Sequence, residues 1–301
     1  MFRQLRAHPR IPHFVPSCLR ASVPCLLFLA CLAAGPATRP GRPYEVAHDK
    51  PLDAKIAVLE KTDAWTRYHV EINGIAGDRV PAIVYVPTDA KPKHPTVLLQ
   101  YGSGGNKNTN YIVAIGQKFA RHGFVAMTID IPNRGERRKV KTVIEGNFLE
   151  TLGDYSRAVD YLYTRDDVDR SRLVYMGISW GAITGITFAA HDERIKVVVS
   201  LVGGGNFIGW MPPQLVNDEM RREVEQFDPV YHVALIEPRP LLLLNVQHDL
   251  LVSPFMSQSL HKAAGPTADK RWLDTDHIFS TVDREATAEE VIRWVEGKLP
   301  R

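Results

Sequence analysis

From about residue 50 onward the apolar positions alternate between two patterns. Short runs rich in Val, Ile and Leu recur at 68–72, 80–86, 96–101, 125–129, 173–178, 197–202, 241–246 and 270–273. Several of them, VVVSLV and LLLLNV among them, are apolar throughout, as strands covered on both faces of a mostly parallel sheet must be. Between the runs lie stretches of helical spacing. In 148–164, Leu149, Leu152, Tyr155, Ala158, Val159 and Leu162 fall on one helix face. Asn108 or Asn110 is placed to cap a helix running to about His122, with Gly123 as its stop. Segments 182–190, 219–227, 257–263 and 288–297 complete the helical set. Strands and helices in this order predict one doubly wound α/β domain over 51–301, a mostly parallel eight-stranded sheet flanked by helices. Residues 203–237 break the alternation after the sixth strand, with Gly203-Gly204-Gly205, Trp210, Pro212 and Pro213. They read as a small cap-like insertion over the open edge of the sheet, or as a long crossover. Residues 36–50, rich in Pro, Gly and Arg, read as a flexible tether.

The first 35 residues are of another kind. Arg3, Arg6, Arg10 and Arg20 stand there with no acidic residue, followed by the apolar run CLLFLACLAA and the small residues Ala33, Ala34 and Gly35. The run is shorter than the ~20 residues of a membrane span, so residues 1–35 are expected to be a cleaved export signal. The product is then secreted or periplasmic, with no stable membrane insertion after cleavage. Phe28-Leu29-Ala30-Cys31 is a poor lipobox, which argues against a lipid anchor on Cys31. All three cysteines, Cys18, Cys25 and Cys31, lie in this leader, leaving the remainder without a thiol nucleophile, a disulfide or a cysteine-bound metal. Overall, 37 basic side chains face 34 acidic ones; without the four leader arginines the balance is 33 to 34. The domain therefore has no basic excess to favour a nucleic-acid partner. Its composition, 45% hydrophobic and 24% charged, is that of an ordinary globular chain.

The strongest chemical signal is Gly177-Ile178-Ser179-Trp180-Gly181, between the strand pattern LVYMGI and the helical run AITGITFAA. A G-x-S-x-G turn from strand to helix lifts a serine Oγ above the sheet, and the tightness of the turn requires small residues two before and two after it. The oxygen then stands at a helix N-terminus, where the dipole favours negative charge. Serine needs a base and an orienting acid. Asp249 follows the strand at 241–246, and His277 follows the last strand in Asp274-Thr275-Asp276-His277, so both reach the carboxyl edge of the sheet in the order Ser, acid, His. Asp274, Asp276 and Asp130 compete for the acid and His248 for the base. His191, His232 and His261 fall on helices or crossovers and read as structural. For the oxyanion, Trp180 N–H is one donor, and the turn Gly102-Ser103-Gly104-Gly105-Asn106-Lys107 supplies another from Ser103 or Gly104. That turn meets neither glycine-rich phosphate pattern. No carboxylate or histidine spacing marks a metal site, and no cofactor is implied.

With these residues assembled, the chain resembles the α/β-hydrolase superfamily, closest to its dienelactone-hydrolase-like and acetyl-xylan-esterase-like branch. The resemblance runs over roughly 65–300 and rests on YGSGGNK, IDIPNRGER, DYSRAVDYLYTRDDVDRSRLVYMGISWGA, PRPLLLLNVQHDLLVSP and DTDH. It implies the α/β-hydrolase fold, an oxyanion hole from the first motif, and hydrolysis of a small-molecule or saccharide ester. Two departures matter: Tyr101-Gly102 stands where many relatives have His-Gly, and Ser179 where dienelactone hydrolases proper use cysteine. Tyr101, Phe207 and Trp210 are the substrate-lining candidates. Arg134 and Arg137 match an arginine of such relatives, either as a structural ion pair or as a substrate contact. The expected activity is cleavage of short-acyl carboxylic esters. A prolyl-oligopeptidase-like peptidase and a non-catalytic binding protein on the same fold are the alternatives.

Overall fold

The computed structural model describes residues 41–139 and 148–300; the leader expectations fall outside them. In chain order the strands are β1 (Lys55–Lys61), β2 (Trp65–Asn73), β3 (Arg79–Pro87), β4 (His94–Gln100), β5 (Val125–Ile129), β6 (Val168–Ile178), β7 (Val197–Leu201), β8 (Leu241–His248) and β9 (Asp269–Asp276). The helices are α1 (Asn110–Arg121), α2 (Phe148–Tyr163), α3 (Trp180–His191), α4 (Phe207–Trp210), α5 (Asp218–Glu225), α6 (Pro229–His232), α7 (Pro254–Ala263) and α8 (Arg284–Lys298). The strands form one sheet in the order β1-β2-β3-β5-β4-β6-β7-β8-β9, antiparallel from β1 to the β3–β5 pair and parallel from there on. Every residue of β4, β5 and β7 is buried, as the unbroken apolar runs require. One apolar cluster packs α2, α3 and α7 on one face of the sheet, and another packs α1 and α8 on the other.

The sheet has nine strands, not eight. The added one, β1 (KIAVLEK), is exposed at every position and pairs only with β2 at the edge, so it carries no burial alternation to read. The insertion therefore follows the seventh strand of the structure. The helix ending before Gly123 is capped by neither asparagine: Thr109 holds the N-cap position without a side-chain bond, and its Oγ1 instead accepts from Asn106 N–H. Gly123 does end the helix region, with φ +80°. The tether expectation is also corrected for its described part. Tyr44 is buried in the core, with the Arg42 guanidinium over its ring. The Arg157 guanidinium on α2 donates to the carbonyls of Ala47, His48 and Lys50. Residues 42–50 are bound to α2. Among the described residues, no helix is long and apolar enough to cross a membrane.

Candidate active site

The site is built at the carboxyl ends of β4, β6, β8 and β9, where open α/β sheets hold their chemistry. Ser179 joins β6 to α3 at φ 55° and ψ −115°, a conformation that a side chain bearing a Cβ adopts only under strain. The small neighbours are sterically required. A Cβ at Gly177 would stand 2.2 Å from the Gly181 carbonyl oxygen, and one at Gly181 would stand 2.4 Å from that of Gln100. Ser179 N–H donates to Leu201 O at 2.8 Å, tying the turn to β7, and α3 begins at the next residue.

The structure brings Asp249 and His277 together with Ser179. The Ser179 Oγ and His277 Nε2 are 2.9 Å apart, and His277 Nδ1 lies 2.8 Å from Asp249 Oδ2. The Asp249 side chain is buried, and its other oxygen accepts N–H bonds from Leu251 and Val252 at 2.9 and 2.8 Å. Burial pushes this carboxyl up, but the His277 hydrogen bond and the two backbone N–H groups outweigh it and hold the pKa below its ordinary value. Asp249 is thus an ionised, fully engaged partner for the imidazole. The rival residues are occupied elsewhere. Asp274 pairs with His248 at the exposed surface, Asp276 accepts from Ile278 and Ser280, and Asp130 holds Lys107. His191 and His232 lie 2.9 Å apart, and His261 meets Asn245 Oδ1.

The loop after β4 lies against Ser179: a Cβ at Gly102 would stand 3.1 Å from Ser179 Cβ. Ser103 and Gly104 are exposed at its tip. Its far end is pinned where Lys107, almost fully buried, gives its N–H and ammonium to Asp130 and reaches Glu136. Tyr101 is not a substrate-lining residue. Its ring is fully buried and its hydroxyl accepts from Ile131 N–H at 2.9 Å, so the residue braces the loop from beneath.

A family model for the dienelactone hydrolase family matches residues 80–231, half of the chain. The chain belongs to the dienelactone hydrolase family. That family is one of hydrolases. It is 32% identical over 135 residues to YcjY of Escherichia coli (strain K12), covering 43% of this chain and 44% of that one. It is 26% identical over 207 residues to YtaP of Bacillus subtilis (strain 168), covering 60% of this chain and 69% of that one. Among solved structures, the acetyl xylan esterase from Paenibacillus sp. R4 superposes with a TM-score of 0.68 at 18% identity, over 83% of this chain and 90% of that one. That likeness establishes the α/β-hydrolase fold.

Beside Ser179, this member of the dienelactone hydrolase family has an aromatic wall drawn from three segments. Phe148 of α2 meets Trp180 of α3 edge-on at 6.0 Å and Phe227 at 5.0 Å, and Phe227 meets Phe207 at 6.1 Å. Ile183, Val252 and Met256 pack against Trp180 and Phe207. Phe207 is one of these rings; Trp210 ends α4, and its side chain lies outside the described residues. The insertion carrying Phe207 is held to α3 by Thr187 Oγ1, which donates to Phe227 O at 2.8 Å, and by the His191–His232 pair. Asp228, fully buried, accepts from the N–H groups of Asn206, Phe207 and Val230. Phe148 and Phe227 had no signature in the sequence, because residues 79 apart meet only through the fold.

Arg137 is a structural ion-pair centre. Its buried guanidinium engages Asp78, Glu150 and Asp154 at 3.0, 2.7 and 2.7 Å. Spacing also concealed the group His69, Glu71 and Glu136, whose ligand atoms come within 4.8 Å of one another. The Lys107 ammonium pairs with Glu136, and the Arg79 guanidinium lies 3.7 Å from Glu71, so the protein's own cations serve these carboxylates.

Proposed function

We propose that the protein is a serine hydrolase that cleaves short-acyl carboxylic esters through an acyl-enzyme on Ser179. The observation that carries this reading is the unbroken hydrogen-bonded chain from Ser179 Oγ through His277 to Asp249. Ser179 Oγ attacks the ester carbonyl carbon while His277 Nε2 takes the hydroxyl proton. Asp249 fixes the imidazole with Nδ1 protonated and stabilises the imidazolium. The oxyanion is held by Trp180 N–H and by Ser103 or Gly104 N–H. The carbonyl re-forms as the alkoxide leaves, taking the proton from His277; water then attacks the acyl-enzyme by the same route and frees the acid. The wall of Trp180, Phe148, Phe207 and Phe227 supports a short acyl pocket. One methylene changes discrimination by only ~1–3 kcal/mol, so the preference is graded. Export through the leader is part of the proposal.

The test is a series of p-nitrophenyl esters from acetyl to decanoyl, with fluorophosphonate labelling. The expected kcat/KM peaks at acetyl to butyryl and falls steadily by octanoyl, and the label is lost in Ser179→Ala. A maximum at decanoyl, or full turnover by Ser179→Ala, would overturn the reading.

A further inference from the structure

Tyr111 lies in the first turn of α1, outside every step above. Gly102 N–H donates to its hydroxyl at 2.8 Å, so the phenol is fastened to the loop that faces the nucleophile. A Cβ placed at Gly102 would stand 3.1 Å from Ser179 Cβ and 3.4 Å from Tyr111 Oη. The sum of those contacts, 6.5 Å, is the most that can separate Tyr111 Oη from Ser179 Cβ. The residue is 41% exposed, so it is not packed away in the core. A phenol accepts and donates. Gly102 uses its accepting side, and among the described residues no acceptor takes its proton. Accepting a hydrogen bond polarises the O–H and makes it a better donor. Burial raises the phenol's pKa above its ordinary value against the opposing Gly102 bond, which keeps the proton on at neutral pH.

We propose that Tyr111 is a further catalytic residue, donating its phenolic O–H to the oxyanion that forms when Ser179 attacks. This inference rests on the ester-hydrolase reading above. The carbonyl oxygen gains negative charge only in the tetrahedral state, so the bond strengthens there and acts on kcat more than on KM. It adds a side-chain donor to the backbone donors of the loop and of α3.

Tyr111→Phe keeps the ring and removes the hydroxyl. The expected result with p-nitrophenyl acetate is a fall in kcat of about 10²-fold, the size typical of one lost oxyanion donor, with KM nearly unchanged. Affinity for a trifluoromethyl ketone, which forms the tetrahedral adduct on serine, should fall by the same factor as kcat/KM. Fluorotyrosines at position 111 separate donation from mere support of Gly102, and their near-native shape keeps the test available if Tyr111→Phe folds poorly. A more acidic phenol donates better and accepts worse, so kcat measured below the phenol's pKa should rise along the series. A kcat that falls along the series, or a wild-type kcat in Tyr111→Phe, would overturn the role of Tyr111. In either case an inactive Ser179→Ala leaves the ester-hydrolase reading standing, whereas an active one would sink that reading itself.

Discussion

Replacing Ser179 by glycine should make the protein more stable than replacing it by alanine, although both variants should be inactive. Each substitution removes the same hydroxyl and the same hydrogen bond to His277, so those losses cancel in the comparison. What differs is the Cβ. At φ 55° and ψ −115° a residue with a Cβ bears strain of about 1–3 kcal/mol, and glycine bears almost none. Against this, glycine gives the unfolded chain extra freedom, which lowers stability by about 0.4–1 kcal/mol. The conformation lies far from the ordinary left-handed well, which places the strain in the upper half of its range, at about 2–2.5 kcal/mol, and the net advantage of glycine comes to about 1–2 kcal/mol. With a urea m-value near ~3 kcal/mol/M, the upper end of the range for small proteins, the unfolding midpoint of Ser179→Gly should lie about 0.5 M above that of Ser179→Ala. Paired urea titrations followed by circular dichroism read this directly. Equal midpoints, or a lower one for glycine at equal m, would show that the turn stores no strain in the serine backbone.

Asp249→Asn should lower kcat on the order of 10⁴-fold, because an amide stabilises the wrong imidazole tautomer; Asp274→Asn and Asp276→Asn, whose partners lie outside the triad, should change it little. A dead Asp276→Asn would misplace the acid. His261 is held at about 4, against an ordinary 6.5, by burial and by the Lys270 ammonium. Within that window the unfolded chain binds a proton that the folded chain refuses, so the stabilisation is full above pH 6.5 and is lost as the pH falls toward 4. His261→Gln should flatten that stretch of the Tm-against-pH curve, and an unchanged slope would assign the acid sensitivity to other groups.

The apolar strands and the turn at Ser179 were legible in the sequence for one reason: their constraints are local. A strand covered on both faces must be apolar throughout, and the serine turn tolerates only glycine at 177 and 181. The missed features depend on relations that no window contains. β1 has no buried face, so nothing in KIAVLEK marks it as a strand. Tyr101 sits at the start of the loop after β4, where sequence position suggests substrate contact, but the end of β4 turns its ring into the core. The Pro- and Gly-rich composition of 36–50 suggests a free tether, while three carbonyls in it are satisfied by one arginine more than a hundred residues away. Phe148, Phe227 and Tyr111 reach the site from helices and loops chosen by the topology, and no spacing announces them.

The fastening of the insertion to α3 has a consequence for how such an enzyme can change over time. The reacting groups stand on strand ends and a strained turn, where almost any substitution is punished. Half of the aromatic wall, in contrast, belongs to a segment joined to α3 by Thr187 and the His191–His232 pair and braced internally by Asp228. In the proposed esterase, substitutions at Phe207 or Phe227 would therefore reshape the wall beside Ser179 while the Ser179–His277–Asp249 hydrogen bonds keep their geometry. A lineage built this way can exchange one ester for another in small steps, each intermediate still a working hydrolase. Such a lineage would keep the relay fixed while its preferred substrates diverge.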